Sequence, residues 1–534
     1  DVAAARKAFA RIEKEITRDQ PEGIQWDNSF FQHGEVFQSA AYGLDFSMSI
    51  PRLMRIAVGT DFQFSRNSVE FLGNFILDGQ RWLVRRQAIE ISAMGRTYSR
   101  QGKNAIPIMR ACRLMVDVPS TRQEEFRSCA ESIRLSTPMP IHGNRSFWIA
   151  DFMAHHTDQF YASVKMNSSR TYNTDFGSNA EGLRGDLLSD GATYFHRSGE
   201  EYRDIFGVWD FRHVPGVTAQ QSAWPARDQY SPSHGPTAFV GGLSDGTTGF
   251  AAMDFKRDQL RARKSWFFLE DRVVALGAGI RCTGHCDPVH TTINQEWGKE
   301  RFTLPEGRTL PPTAGAVAPT WIHHDGVGYL LQDSAMAAKT QVRLSSQRGD
   351  WKNINGQLQS TPAEGKVFSL FIDHGEHGQH GDSAASSQGD HYAYAVVPGV
   401  TSEQTAQLAA ATDVEILSNS EALQAIQRKS SKRLQAVFFA PGQLTKSVWG
   451  SVKTNAACLV EIQPDHNRVQ LLVSDPSRQA KSIRLELTGQ YHCPTCRTPV
   501  TEAGHAFVTE VEVTLPTGKL AGTAAPLSLG PVSM

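Results

Sequence analysis

The side chains best suited to moving protons in this chain are His33 and Tyr42, nine positions apart in "DNSFFQHGEVFQSAAY" (27–42). An imidazole and a phenol can each accept and return a proton, provided each is held beside the atom it serves. Two arginines, Arg96 and Arg100, follow in "GRTYSR". A guanidinium there can bind an anion or favour the ionised form of a neighbouring tyrosine. Glu181 in "NAEGLRG", two residues after Asn179, supplies a carboxylate that can orient those arginines. Taken one at a time, each has an ordinary alternative: a structural histidine, a core tyrosine with its hydroxyl at the edge, a solvated pair of arginines. Together they spell proton transfer at a site that also binds negative charge.

Two kinds of element must position them. The first part of the chain reads as helical. "DVAAARKAFARIEKEITRD" places Phe9, Ile12 and Ile16 on one face, and "SVEFLGNFILDGQRWLVRR" places Val69, Leu72, Phe75 and Ile76 at helical spacing. Thr121-Arg-Gln-Glu124 predicts a capping box that opens a helix through "EEFRSCAESIR". Pro138 and Pro140 then punctuate the chain. From about Ser146 the period is mostly two: "DRVVALGAGI" and "GVGYLLQD" are short apolar runs, while "NRVQLLVSD", "KSIRLELTG" and "FVTEVEVTLP" alternate, with Val511, Val513 and Leu515 on one face. Short strands between Gly, Asp, Asn and Pro predict large antiparallel sheets packed as sandwiches. "SNSEALQAIQRK" fits either a helix or a pair of strands, and "SVWGSVKTNAACLV" marks the start of a smaller terminal β-domain. The whole reads as an α+β arrangement of separate domains, with the cleft between them a place for a ligand.

At 534 residues the chain is long enough for about two to four domains. With 40% hydrophobic and 20% charged residues it has a globular profile, and no apolar run is long enough to span a membrane. A net charge of −1 provides no global field for nucleic acid. The N-terminus lacks the layout of a signal peptide, and a chain starting in mid-helix reads like a mature or cut fragment. Seven cysteines, including Cys282 and Cys286 around His285 and the word Cys493-Pro-Thr-Cys496, read as structural thiols or one local disulfide rather than a zinc site. "HGEHGQHGDSAASSQGD" reads as a solvated connection.

Six words come in a fixed order: "NSFFQHGEVFQSAAYG", "GRTYSR", "SFWIADFMAHHTDQFYASVKMNSSRT", "NAEGLRGDLLSDGATY", "GVWDFRHVPGVT" and "KSWFFLEDRVVALGAGI". The series resembles polysaccharide lyase family 8, the family of hyaluronate, chondroitin AC and xanthan lyases. The resemblance runs from residue 1 to about residue 450 and weakly beyond. It implies the C-terminal part of an α/α toroid over 1–135, a large antiparallel β supersandwich over 140–445 and a smaller β-sandwich over 446–534. It also implies β-elimination beside a uronic acid, in hyaluronan or chondroitin sulfate. Removing the C5 proton needs a placed base, stabilisation of enolate-like charge and a proton for the departing oxygen.

On that resemblance Tyr42 serves as general base and acid, activated by Arg96. His33 serves at the substrate carboxylate or as an alternative base. Glu181 orients the arginine or tyrosine, and Arg100 and Asn179 bind substrate. The local word reads Asn179-Ala-Glu181-Gly182, where the family carries asparagine at the last position, which leaves the role of Asn179 open. The family also has a carboxylate-neutralising asparagine on an earlier toroid helix. The chain starts thirty-two residues before His33, and Asn28 belongs to a different loop, so that group is expected on a toroid segment supplied as a separate chain or absent. The partner is an anionic uronate polysaccharide, with no nucleic acid and no membrane. No cofactor or catalytic metal is required, a structural calcium is left open, and the location implied is secreted or periplasmic. Two rivals stand beside this reading: a non-catalytic glycan-binding protein, and a lyase of other specificity, for xanthan or alginate.

Overall fold

The computed structural model describes residues 2–18, 20–223, 232–284, 286–299, 301–305, 319–332, 334–376, 389–494, 497–503 and 506–531. Five α-helices form the first part: α1 (Val2–Lys14), α2 (Tyr42–Ala57), α3 (Arg66–Asn74), α4 (Ile106–Val116) and α5 (Gln123–Leu135). On α1 the expected face is the one that packs: Phe9 stacks on Phe62 at 5.6 Å and meets Phe64 edge-on, and Ile16 just beyond the helix is buried. Val69, Leu72, Phe75 and Ile76 are all buried, as their spacing predicts, yet they do not share one continuous helix. After α3 the backbone widens into a π-turn (Phe75–Gly79), tightens to a 3₁₀ turn (Gln80–Leu83) and becomes a short strand (Val84–Arg85). At the end of the π-turn Gly79 packs on the loop before Phe30 so closely that a Cβ would stand 2.3 Å from the Asn28 carbonyl oxygen, a position only glycine fits.

The capping box at Thr121 does not form. Helix α5 begins one residue after Arg122, and no side chain caps it. Arg122 instead sends its guanidinium to Asp78, at 2.6 and 2.8 Å, and to Glu125 at 2.7 and 2.8 Å. That double ion pair fixes α5 to the π-turn and takes the place of a local cap.

The β part is antiparallel throughout its paired strands. A four-stranded sheet (Gly143–Phe147, Phe152–His156, Tyr161–Lys165, Ala192–His196) packs against the helices in one continuous core that also takes in Trp351 and Ile354. Next comes an eight-stranded sheet built around Gly249–Arg257, Leu260–Phe268, Val273–Cys282 and Asp390–Pro398. Its strands read as near-continuous apolar runs because both faces are covered. Val273 and Ala275 point into a core shared with the strands Thr340–Asp350 and Pro362–Asp373, while Val274 and Leu276 point into a second core shared with Val437 and Leu459 of the last domain.

The last domain pairs a seven-stranded sheet with a five-stranded one around Val460, Leu471, Ile483, Leu485, Val511 and Val513. The stretch left between helix and strands is a hairpin, Val414–Asn419 with Leu423–Arg428. The expected junction at 445/446 cuts through this sheet. Leu434–Phe438 pairs directly with Cys458–Ile462, so the terminal sandwich starts at Val414 and the loop at 446 lies inside it. Cys282 and Cys286 form a local disulfide, and Cys493 is also disulfide-bonded. His285, Cys496 and most of the histidine-rich loop (377–388) lie outside the described residues.

Trp351 is the joint between these layers. It is 1% exposed, sits in a 3₁₀ turn at the tip of the long Thr340–Asp350 and Pro362–Asp373 hairpin, and drives that tip into the helical core. Replacing it leaves a large cavity: Trp351→Ala is expected to lose about 3–5 kcal/mol of stability in urea titrations followed by circular dichroism. A loss within the range of a surface substitution would show that the hairpin tip does not anchor the two layers.

Candidate active site

Each functional side chain is placed by a feature of its own segment. Phe30 and Phe31 are buried, and Phe31 bridges to Phe37, so residues 32–36 must turn tightly between them. His33 and Gly34 make that turn with φ of 61° and 75°. A left-handed histidine is strained by the order of ~1 kcal/mol and persists only where its surroundings over-determine it. Here they do: the Gly34 amide donates to Glu22 Oε1 at 2.7 Å, and a Cβ on Gly34 would lie 2.5 Å from the Tyr172 ring. Tyr42 is the first residue of α2, and the preceding turn is tied down where Phe30 N donates to Ser39 Oγ and Ala40 N to the Ala93 carbonyl. The result sets the His33 and Tyr42 rings edge to face, 5.0 Å apart.

Arg96 lies in a 3₁₀ turn (Gly95–Ser99), is 5% exposed, and has every nitrogen engaged. Nη2 donates to Tyr42 Oη at 3.1 Å, Nε donates to Glu181 Oε2 at 3.1 Å, and Nη1 is paired with Asp175 Oδ2. Asp175 Oδ2 also accepts from Gln38 Nε2 at 3.2 Å and lies 3.0 Å from His33 Nδ1. That oxygen only accepts, and at 3.0 Å it is nearer than the competing donor Arg96 Nη1 at 3.4 Å, so the contact fits a proton on His33 Nδ1 with Nε2 of the half-exposed ring as the open acceptor. Arg100 grips Glu181 with two bonds of 2.7 Å while its own side chain stays 45% exposed.

Burial works against the Asp175 carboxylate, but the Ser178 hydrogen bond and the Arg96 charge outweigh it and hold the group below the usual carboxylate range. The Arg100 hydrogen bonds hold Glu181 below it as well. Burial likewise opposes the charge on Arg96, and the Tyr42 and Asp175 contacts more than reverse that. The cluster therefore holds two guanidinium ions and two carboxylates, closed by a histidine and a tyrosine that face the opening.

His33, Tyr42, Arg96, Arg100 and Glu181 thus converge. Asn179 does not join them: its side chain is exposed, and its carbonyl oxygen accepts from Gln357 Nε2 at 2.7 Å. Asn28 is occupied elsewhere, with Oδ1 accepting from Arg18 Nη2. The residue that sequence reasoning missed is Asp175, in "NTDFGSNAEG" six positions before Glu181. A second acid in that same Gly/Ser/Asn-rich word was the available signal. Asn355 was beyond reach, because it meets Glu181 only through the long hairpin that Trp351 anchors. Among the described residues no group of three or more His, Cys, Asp or Glu side chains is placed to hold a metal ion. No helix among them is long and apolar enough to cross a membrane.

Because the native Asp175 pKa is depressed, its ion pair contributes fully above the unfolded-state value of ~3.9 and is lost as pH falls through the native one. Asp175→Asn is expected to cost about 3–5 kcal/mol at neutral pH by leaving buried Arg96 undercompensated. The gap to wild type should narrow as pH falls below ~4, where the unfolded chain takes up the proton while the native carboxylate is still ionised, and close once the native carboxylate is protonated too. Denaturant midpoints for both proteins across that range check this, and a gap independent of pH would show that Asp175 is not ionised in the folded protein.

Comparison with known proteins agrees with this architecture. Family models for polysaccharide lyase family 8 match along the chain: the N-terminal α-helical domain at residues 2–126, the super-sandwich domain at 142–409 and the C-terminal β-sandwich domain at 415–484. A chondroitinase-AC of Pedobacter heparinus is 29% identical over 87% of this chain and 66% of its own length. A hyaluronate lyase of Thermasporomyces composti is 26% identical over 96% of this chain and 70% of its own. A solved chondroitinase AC lyase superposes with a TM-score of 0.87 at 25% identity, over 99% of this chain and 75% of that one. The chain therefore spans only part of the length of the relatives it matches. With its three regions matched in order, the chain belongs to polysaccharide lyase family 8.

Proposed function

We propose that this chain carries the β-elimination centre of a lyase for uronate-containing glycosaminoglycans, hyaluronan or chondroitin sulfate. The observation that carries the proposal is the Arg96 Nη2 to Tyr42 Oη hydrogen bond of 3.1 Å beside the His33 ring. The guanidinium is placed to meet negative charge on the Tyr42 oxygen, and the phenolate is the form able to take the weakly acidic C5 proton. As the C5–H bond breaks, its electrons form the C4=C5 double bond and the C4–O bond opens. The proton now on Tyr42 passes to the departing oxygen, which regenerates the phenolate. No water is consumed, and the reaction so written needs no cofactor. Arg100, half-exposed at the rim, is the group placed to meet an anionic substituent of the sugar. The names of the two relatives above, a chondroitinase-AC and a hyaluronate lyase, support this substrate class. Such polymers lie outside the cell, and we place the protein there, secreted or periplasmic.

A second assignment has its own observation. Asp175 accepts from His33 Nδ1, an arrangement that orients the ring with Nε2 as its open acceptor and suits His33 to remove the C5 proton while Tyr42 protonates the leaving group.

Incubation with hyaluronan, chondroitin sulfate, xanthan or alginate should raise ultraviolet absorbance from the unsaturated uronate with one of the first two. No rise with any of the four would overturn the proposal. Tyr42→Phe is expected to lower kcat by about 10²–10⁴-fold with little change in binding. His33→Gln separates the two assignments: a loss as large as that of Tyr42→Phe assigns the base to His33, and a smaller loss accompanied by a raised KM assigns it to Tyr42.

A further inference from the structure

A groove of about 600 Å³ opens on the terminal sandwich, in a domain that contributes none of the catalytic side chains. Trp449 and Tyr491 line it as half-buried aromatic surfaces. The indole is locked in place, because its Nε1–H donates to the Lys432 carbonyl oxygen at 2.8 Å and its backbone N–H to Ser447 Oγ at 3.0 Å. The preceding Val448 N–H donates to Gln427 Oε1 at 2.9 Å, so the loop that presents the indole is held from both sides. The Tyr491 ring packs against Gly489, where a Cβ would come within 2.9 Å of it, and its backbone N–H donates to Thr509 Oγ1 at 3.0 Å.

The polar lining has one sign. Lys432 and Arg468 border the groove, and neither has a carboxylate partner among the described residues; Arg468 donates only to Ser528 Oγ, at 3.3 Å. No Asp or Glu lines it. The one carboxylate nearby, Asp465, is paired with His466 Nδ1 at 2.9 Å. Asn467 and Gln490 add two amide side chains that make no hydrogen bond among the described residues.

We propose that this groove is a second binding site for the anionic glycan, separate from the catalytic centre. It rests on the substrate class proposed above. Rigid aromatic faces suit the C–H faces of sugar rings, unpaired cations suit carboxylate or sulfate, and free amides suit hydroxyls. A second site raises the local concentration of polymer at the first only when one chain is long enough to reach both. It therefore acts on long polymers and leaves short oligosaccharides unaffected.

The test is affinity electrophoresis through gels cast with hyaluronan or chondroitin sulfate, in a Tyr42→Phe background that leaves the polymer uncut, with a neutral dextran gel as control. Trp449→Ala and the double variant Lys432→Gln/Arg468→Gln are expected to weaken retention by about five- to tenfold, with unchanged melting and migration in dextran. With Tyr42 restored, both should raise KM for polymer several-fold while kcat and the KM for a tetrasaccharide stay constant. The double variant alters only groove-rim side chains, so it stays informative if Trp449→Ala misfolds. Unchanged retention and polymer KM in that variant would overturn the inference, as would groove variants that alter sedimentation mass instead of glycan retention. The two proposals fail separately: groove-dependent binding without unsaturated product overturns the lyase reading, and cleavage with no groove effect overturns this one.

Discussion

Burying a guanidinium is costly unless its charge and all its donors are met, and the centre of this protein is organised around meeting that demand for Arg96. Asp175, Glu181 and Tyr42 each take one of its nitrogens. These partners come from two segments far apart in sequence, the start of α2 and the 175–181 loop, and neither can move without leaving Arg96 undercompensated. The cost of desolvation thus becomes positional accuracy. The same guanidinium that fixes the loops also sets the charge environment of the Tyr42 hydroxyl.

The cluster is rigid because its supports belong to one core. The helices, the first four-stranded sheet and the Trp351 tip of the supersandwich hairpin share a single apolar cluster. Asn355, four residues past Trp351, therefore reaches Glu181 from the β side while Arg96 and Arg100 reach it from the helical side. The boundary between helical and β regions is thus a packed joint, with His33 and Tyr42 at its edge. His33 is the strained element at that edge. Its left-handed backbone, wedged by Gly34 against Tyr172, aims the Nδ1 edge of the ring at Asp175 and leaves the imidazole partly exposed.

The β regions follow a different logic. The eight-stranded sheet is sandwiched on both faces, and this explains why its strands lack clean alternation while those of the terminal sandwich show it. Continuous burial also makes the terminal domain part of the same packed body rather than a tethered appendage, since Val437 and Leu459 fill the outer face of the supersandwich. A groove on that domain is accordingly carried by the same packed body as the Arg96 cluster.

The residue series alone determined the α+β order, the packing faces of α1 and α3, the strand character of the C-terminal half and, of the six site residues it named, the five that converge. Hydrophobic period and short polar words are local properties, legible wherever a single segment decides the outcome. Only the tertiary structure decided the rest. The π-turn at Phe75–Gly79 is seen only in the fold, where it packs on Asn28; Arg122 turns to Asp78 in place of the capping box, and strands pairing across the loop at 446 set the true start of the last sandwich. Asp175 and Asn355 belong to the site only because a buried charge and a buried indole draw distant segments together. Long-range electrostatics and packing leave no periodic trace in the chain, and for that reason the spacing of His33 and Tyr42 pointed to the chemistry while the network that arms them had to be seen folded.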